Sequence, residues 1–399
     1  MSKNNLVSII VNNYNYGRFL RHAIDSAIKQ KYSNVEVIVV DDGSTDESAA
    51  IIAEYGNKII AISKENGGQA SAFNAGFEAS HGEIVIFLDS DDILLPTAAT
   101  KVVALFEDSN VSKVHWPLWE INEVGQKKGG MFPQVTLCEG DLLEEMAKYG
   151  PNGYTSSPTS GNAWSRKFLE QVLPVPADSF KISADSYLFM LAPLFGLVRL
   201  IKEPQSFYRI HSKNNYKGNT LKEETLVSII SQYDTSCLIL KSFLDSLAIS
   251  ADTRSWKDNS WFYKLRNAVN DIKNVIPADK TFILVDEDQW EAAGEVAGRK
   301  SIPFVEHDGT YWGPPGDDAI AIREIERQQN NGASFIVFAW PAFWLLSYYS
   351  QMDYYLHSNY TCIMRNENVI VFDLDTNASA KPERVSVSAN NNFRAPNYY

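Results

Sequence analysis

Along the first hundred residues, short apolar runs alternate with stretches of helical periodicity. The apolar runs, of which LVSIIV and VEVIVV are rich in β-branched residues, predict strands over residues 6–11, 35–40, 58–63 and 84–88. Apolar positions at i, i+3 and i+4, or a turn followed by a cap, predict helices over residues 17–30, 46–55 and 70–79. Strands that alternate with crossover helices favour a parallel, doubly wound α/β sheet, whose ligands bind at the carboxyl ends of the strands.

The pattern changes twice further along the chain. Residues 219–275 combine helical spacing with mixed charge, which is typical of a connector, and a second alternation of strands and helices follows them. The last residues are polar and rich in Asn. We therefore predict an α/β domain over residues 1–218, a helical connector over 219–275, a smaller α/β domain over 276–375 and a mobile tail over 376–399.

Composition narrows the class of protein. The chain has 399 residues, of which 45% are hydrophobic and 21% are charged, so it can fill the cores of soluble domains. Its net charge of −13 provides no basic face for contacts with phosphate, and we expect no nucleic-acid partner. The three cysteines form no CxxC pair, which favours a reducing compartment over a disulfide framework or a structural zinc site.

Apolar runs along the chain are too short for a membrane span of ~18 to 20 residues. The closest, residues 335–349, is interrupted by Pro341, and the apolar segment near the N-terminus is too short for a secretory signal. We therefore expect a cytoplasmic protein, and a peripheral contact with the inner face of the membrane stays open.

Two clusters of carboxylates follow predicted strands. Asp41 and Asp42 come directly after VEVIVV, and the sequence Asp89-Ser90-Asp91-Asp92 comes after IVIFL. Carboxylates that are crowded into a crevice need a cation or hydrogen-bond donors to offset their charge. Mg²⁺ and Mn²⁺ prefer oxygen ligands and share them with substrate phosphates, so the Asp-x-Asp sequence predicts a divalent-metal site. The alternative is that these aspartates cap turns and helices.

Two long segments carry the strand ends and the loops after them, namely LVSIIVNNYNYGRFLRHAIDSAIKQKYSNVEVIVVDDGSTDES and KENGGQASAFNAGFEASHGEIVIFLDSDDILLP. Together they resemble the opening of a family 2 glycosyltransferase with the GT-A fold. The resemblance covers residues 5–212 and implies that the strand ends hold a nucleotide sugar. One departure is that Phe73 stands before Asn74, where many relatives have an Arg.

The resemblance implies a role for individual residues. In it, Asn12 and Tyr14 flank the base, Asp42 accepts from the imino N–H of the base, and Asp89 and Asp91 hold Mn²⁺ or Mg²⁺ against the diphosphate. His211, in the sequence Tyr-Arg-Ile-His, is the further metal ligand. Asp185 matches the general base, although Ser183 replaces part of the usual two-acid signature. The implied nucleotide-binding residues are Asn12, Tyr14, Asp42, Gly67, Gly68, Asn74, Asp89 and Ser90.

Two other regions are less informative. Trp164 falls where relatives build the acceptor side, and its indole could stack on a sugar or belong to the core. Residues 276–375 resemble segments appended to some bacterial glycosyltransferases, and they contain no GxGxxG, P-loop or nucleophile-elbow motif. Core packing is the favoured reading of the aromatic sequence FAWPAFW within them.

We therefore expect an inverting glycosyltransferase that moves a sugar from a nucleotide-diphosphate donor, with UDP favoured, to an acceptor hydroxyl. The acceptor is a saccharide, a lipid-linked glycan or a protein, and self-association stays open. One alternative is a catalytically silent module that binds nucleotide sugars. A second is an Asp-x-Asp phosphotransferase or phosphatase, which is weakened because no Gly-Thr follows Asp89.

Overall fold

The computed structural model describes residues 5–212, 223–290, 292 and 294–377, and these form two compact units. Residues 5–212 and 232–256 make up the first unit, and residues 223–231 and 257–377 belong to the second. The mobile tail expected over residues 376–399 lies outside the described residues from 378 onward. The four-region division therefore stays a prediction.

The first unit contains eleven strands and the helices that connect them. The strands are β1 (Val7–Asn13), β2 (Val35–Asp41), β3 (Ile60–Ser63), β4 (Ile84–Asp89), β5 (Ile93–Leu94), β6 (Val111–His115), β7 (Leu118–Ile121), β8 (Lys127–Phe132), β9 (Asn162–Ser165), β10 (Leu197–Leu200) and β11 (Ser206–Arg209). The helices up to residue 212 are α1 (Gly17–Ile28), α2 (Ser48–Ala53), α3 (Gln69–Glu78), α4 (Ala98–Leu105), α5 (Leu143–Tyr149), α6 (Arg166–Val172) and α7 (Ala184–Leu191).

A seven-stranded sheet forms the centre of the first unit, in the order β10-β6-β9-β4-β1-β2-β3. Every neighbouring pair is parallel except the two pairs that include β9. The predicted α/β class with a mostly parallel, doubly wound sheet is therefore confirmed. A second sheet has the order β5-β11-β7-β8.

Burial explains why the sequence predicts strands β1, β2 and β4 clearly. The apolar residues of β1, β2 and β4 are almost completely buried, and the apolar stripe of α1 packs in the same core cluster. Strands covered by helices on both faces need apolar side chains on both faces, so they appear as continuous apolar runs. Their ends are where the chain first becomes polar again.

After residue 222, the next helices along the chain are α8 (Glu223–Ser246), α9 (Thr253–Asn259) and α10 (Trp261–Val275). In the second unit the strands are β12 (Thr281–Val285), β13 (Glu295–Val296), β14 (Arg299–Pro303), β15 (Glu306–His307), β16 (Thr310–Tyr311), β17 (Ala333–Ala339), β18 (Tyr360–Arg365) and β19 (Val369–Asn377). Its remaining helices are α11 (Asp318–Asn330), α12 (Trp344–Tyr348) and α13 (Ser350–Asn359). Among all described helices, none has the length and apolar character of a membrane span.

The second unit is built on a six-stranded sheet in the order β13-β14-β12-β17-β19-β18. Strands β14, β12 and β17 run parallel, and the pairs at both ends of the sheet are antiparallel. The short strands β13 and β14 were not expected from the sequence, because RKSIP has neither alternation nor a continuous apolar run.

Candidate active site

The carboxyl ends of β1, β2 and β4 lie next to one another in the central sheet. Asn12 is in register with Asp89, and Asn13 is in register with Asp41. Parallel pairing therefore brings polar residues that are distant in sequence to one edge of the sheet. The side chain of Asn12 donates from Nδ2 to Oδ1 of Asp89 at 2.7 Å.

Asp89 forms hydrogen bonds with three other parts of the fold. In addition to Asn12, Gln69 donates from Nε2 to the same oxygen at 3.2 Å, and the backbone N–H of Asp89 donates to Ser160 Oγ at 3.1 Å. Burial, followed by the charge of Asp91, raises the pKa of Asp89 to about 7. A divalent cation would offset the same repulsion.

Asp91 is paired with His211, the last residue of the Tyr-Arg-Ile-His sequence. His211 Nε2 lies 3.0 Å from Asp91 Oδ2, and the imidazole side chain is completely buried. The rings of Tyr16 and Phe19 pack against it at centroid distances of 5.4 and 5.0 Å. Packing on several sides thus fixes the imidazole beside Asp91.

Arg209 holds the acidic loop, residues 89–92, through two hydrogen bonds. Its backbone N–H donates to Asp92 Oδ1 at 2.9 Å, and its Nε donates to the carbonyl oxygen of Asp91 at 2.8 Å. Asp92 and Ser90 are buried, with 1% and 3% exposure. Burial, followed by the charges of Asp91 and Asp89, raises the pKa of Asp92 well above its usual value.

These side chains fit a metal that is shared with a substrate better than a closed metal cage. Within the described residues, no three His, Cys, Asp or Glu side chains already gather around one point as a complete ligand set. Asp89 and Asp91 instead supply carboxylate oxygens whose repulsion is only partly offset by donors. Mg²⁺ typically takes one or two carboxylates and completes its shell with phosphate oxygens and water.

Asp42 holds the glycine loop that precedes α3. Its carboxylate accepts from Lys64 Nζ at 2.6 Å and from the backbone N–H groups of Gly67 and Gly68 at 3.1 and 2.7 Å. Gly68 has φ of +83°, and a Cβ there would lie 2.4 Å from the carbonyl oxygen of Lys181. This position therefore requires glycine, and the loop is fixed close to the predicted nucleoside contact.

Asp185 lies in the first turn of α7. Thr159 Oγ1 donates to Asp185 Oδ2 at 3.2 Å. Burial raises the pKa of Asp185, and the hydrogen bond from Thr159 partly opposes this shift. Asp185 also influences the pKa of Asp89, so the predicted base and the predicted metal ligand share one electrostatic environment.

Three of the predicted site residues, Tyr14, Asn74 and Trp164, differ in their exposure and in their partners. Tyr14 is 47% exposed, so its ring is available to a ligand. Asn74 uses both ends of its amide on the backbone of Val175, at 2.9 and 2.8 Å, so we do not include it in the site. Trp164 is 1% exposed and packs against Phe168. Of the two readings of Trp164 that the sequence leaves open, this burial supports the core residue over the acceptor contact.

Sequence reasoning missed the residues that link the carboxylates. Gln69, Thr159 and Arg209 contact Asp89, Asp185 and the backbone of the acidic loop, respectively. Neither Gln69 nor Thr159 belongs to a periodic or acidic pattern. The available signals were weak: Gln69 directly follows the Gly-Gly pair, and Thr159 lies in a loop rich in Ser, Thr and Pro.

Comparison with known proteins identifies the family. The model of "Glycosyl transferase family 2" matches residues 8–161. An uncharacterized glycosyltransferase of Nostoc sp. (strain PCC 7120) is 36% identical over 244 residues, which are 58% of this chain and 76% of that protein. A second one, of Rickettsia prowazekii (strain Madrid E), is 48% identical over 91 residues, 23% of this chain and 29% of that protein.

Solved structures show more distant likenesses. A crystal structure of S. aureus TarS 1–349 in complex with UDP has a TM-score of 0.43 at 19% identity, covering 68% of this chain and 81% of that one. The mannosyltransferase PcManGT from Pyrobaculum calidifontis, in complex with GDP-Man and Mn²⁺, has a TM-score of 0.44 at 15% identity, with 69% and 77% covered. The family assignment depends on the sequence relatives, and by these the chain belongs to glycosyl transferase family 2, a family of transferase enzymes.

Proposed function

We propose that the chain is an inverting glycosyltransferase that transfers a sugar from a UDP-linked donor to an acceptor hydroxyl. The observation that carries the proposal is the convergence of Asp89, Asp91 and Asp185 at the carboxyl edge of the central sheet, where Asp91 and Asp185 both act to raise the pKa of Asp89. Crowded carboxylates of this kind are costly for folding alone, and they suit a site that handles a cation and a proton.

The nucleoside end of the donor would bind at β1 and β2. Asn12 Oδ1 is buried and has no hydrogen-bond partner among the described residues, so it can accept from a ligand hydroxyl or N–H group. Asp42 is an acceptor-only side chain, which is the type of partner that the imino N–H of uracil requires, and the backbone of Gly67 and Gly68 holds its carboxylate in place. Tyr14 offers an exposed ring for stacking on the base.

The diphosphate would lie against Asp89 and Asp91. These two carboxylates, with His211, would hold Mn²⁺ or Mg²⁺, and Ser90 and the Gly67-Gly68 loop would border the nucleotide. When bound, the cation supplies positive charge that stabilises the departing diphosphate. Arg209 holds the loop in this position through Asp91 and Asp92.

Asp185 would act as the general base. It takes the proton of the acceptor hydroxyl while that oxygen attacks the anomeric carbon from the face opposite the diphosphate. The new C–O bond forms as the bond to the diphosphate oxygen breaks, which inverts the anomeric configuration. Burial favours this role because it raises the pKa of Asp185, and a base works best when its pKa approaches the working pH.

Metal-dependent binding tests the proposal. UDP should bind the wild-type protein more tightly with Mn²⁺ than without it, and Asp91→Asn should remove that difference by removing one negative charge from the ion site. Isothermal titration calorimetry measures both affinities. Asp288→Asn, which changes an acid after strand β12 of the second unit, is the matched control and should bind as the wild type does. Unchanged Mn²⁺ dependence in Asp91→Asn would contradict the proposal.

A further inference from the structure

Gln69 and Thr159 form a continuous hydrogen-bonded link between the two halves of the site. Gln69 Nε2 lies 3.2 Å from Asp89 Oδ1 and 3.2 Å from Thr159 Oγ1. Thr159 Oγ1 in turn lies 3.2 Å from Asp185 Oδ2. Thr159 is 4% exposed, so water competes little for these contacts.

The orientation of the Gln69 amide follows from its partners. Its Oε1 accepts from the backbone N–H of Ala184 at 3.0 Å, at the start of α7. A flipped amide would place an NH₂ group against that N–H and an oxygen against the Asp89 carboxylate, which are two repulsive contacts. The two N–H groups of Gln69 must therefore face Asp89 and Thr159.

This orientation also fixes the direction of the Thr159 hydroxyl. Its oxygen accepts from Gln69, so its single proton is free to be donated. Asn12 and Gln69 already donate to Asp89, and Thr159 Oγ1 lies 3.2 Å from Asp185 Oδ2, so the Thr159 proton is donated to Asp185. This hydrogen bond works to lower the pKa of Asp185. A donated hydrogen bond favours the ionised carboxylate, which is the form that a base requires.

We propose that Gln69 and Thr159 are positioning residues that hold Asp185 ionised and correctly oriented relative to the donor site at Asp89. This inference rests on the proposed function, in which Asp185 is the base. Gln69 acts twice, through Thr159 and through its contact with the Ala184 N–H, which sets the start of the helix that carries Asp185. Neither residue needs to touch the substrate.

The first test replaces the hydroxyl without changing the shape of the side chain. Thr159→Val should lower kcat about tenfold, the rate equivalent of one hydrogen bond to a charged group. The KM for the donor should stay within about twofold, because the contact acts on the base. Thr159→Ser, which restores the hydroxyl, should recover most of kcat. The probe is water-dependent cleavage of whichever nucleotide sugar in a UDP, GDP and dTDP panel the wild-type protein cleaves fastest with Mn²⁺.

A double variant separates positioning from a general structural effect. If Thr159 acts through Asp185, Thr159→Val should cost almost nothing further in an Asp185→Asn background. A tenfold loss in both backgrounds would overturn the inference, as would a wild-type kcat for a folded Thr159→Val. If Asp185→Asn alone keeps full activity, the base assignment and this inference both fail. If Asp185→Asn is impaired and Thr159→Val is not, only the inference fails.

Gln69→Glu is a second route that does not depend on how Thr159→Val folds. The change keeps the acceptor for Ala184 and replaces the donor with an oxygen that repels Asp89, so kcat should fall tenfold or more. Gln30 is a matched control: its Oε1 accepts from the Ala99 N–H at 3.0 Å, and its Nε2 donates to Ser26 and Leu95 carbonyls. Gln30→Glu should change melting temperature but not kcat. Equal kcat in the two variants would overturn the inference.

Discussion

Both units place an Asp directly at the carboxyl end of a buried parallel strand, and the two sites differ in what surrounds that Asp. In the first unit, β4 ends at Asp89, whose carboxylate contacts Asn12 and Gln69 from other elements. In the second unit, β12 is followed by Asp286, which is 3% exposed. Similar sequence patterns thus lead to two different environments.

Asp286 is occupied by its own loop. It accepts from the backbone N–H of Asp288 at 3.1 Å and from that of Trp290 at 2.9 Å. Burial raises its pKa to about 6, and these two hydrogen bonds partly oppose the shift. Local donors stabilise the carboxylate, as they do in many Asp turns.

A strand-end acid therefore indicates a functional site only when side chains from distant elements also lie around it. Asp89 has further carboxylates nearby, Asp91, Asp92 and Asp185, and their mutual repulsion is part of its pKa shift. Asp286 accepts from two backbone N–H groups of its own loop, and the acid whose charge raises its pKa, Asp288, belongs to the same loop. The acids around Asp89 come from the loop after β4 and from α7, so in that site separate elements bring the negative charges together.

The largest expected effect comes from removing the proposed base. Asp185→Asn keeps the shape of the side chain and removes its basicity, so we expect turnover to fall at least ~10²-fold. The affinity for UDP with Mn²⁺ and the melting temperature should change little, because Asn also serves in the first turn of a helix. Single-turnover kinetics and calorimetry measure these quantities. Robust turnover in the variant would place the base elsewhere.

The same Asp→Asn change in the second unit should have the opposite result. Asp286→Asn leaves one acceptor for two backbone N–H groups and turns an NH₂ group toward the other. We expect a loss of about 1–3 kcal/mol in the free energy of unfolding, measured by urea denaturation. Nucleotide affinity and turnover should match the wild-type values. A loss of nucleotide affinity without a loss of stability would end the contrast between the two acids.

A further expected effect concerns the pH dependence of stability. Burial and the charge of Asp91 raise the pKa of Asp89 to about 7, above the value near 4 of an unfolded Asp. The folded state therefore binds more protons than the unfolded state between these two values. Stability without metal should fall as pH rises from about 4 to 7 and then level off.

Calorimetric melting temperatures between pH 5 and 8 measure this dependence. Asp89→Asn should reduce the slope, because it removes the group whose proton is retained on folding. Mn²⁺ with UDP should also reduce the slope in the wild-type protein, since the ion competes with the proton. A wild-type slope in Asp89→Asn would assign the dependence to another group.

Local sequence patterns predict the central strands and the first helices of the first unit. The strands β1, β2 and β4 and the helices α1 and α3 lie within two residues of their predicted bounds, because burial on both faces and amphipathic spacing leave a clear pattern. The antiparallel strand β9, at Asn162–Ser165, was not expected. Four residues without alternation give too little pattern to identify a strand, and its place between β4 and β6 depends on long-range pairing.

The sequence by itself determined the class of fold, the family and the strand ends at which the acids lie, because these depend on local periodicity and on short runs of residues. Only the tertiary structure decided which acids share an environment. Asp89 and Asp185 are almost a hundred residues apart, and Gln69 and Thr159 link them through hydrogen bonds that no spacing in the chain encodes. It also decided that Trp164 is core and that Asp286 caps its own loop, since burial and partner choice are set by the elements that pack around a residue.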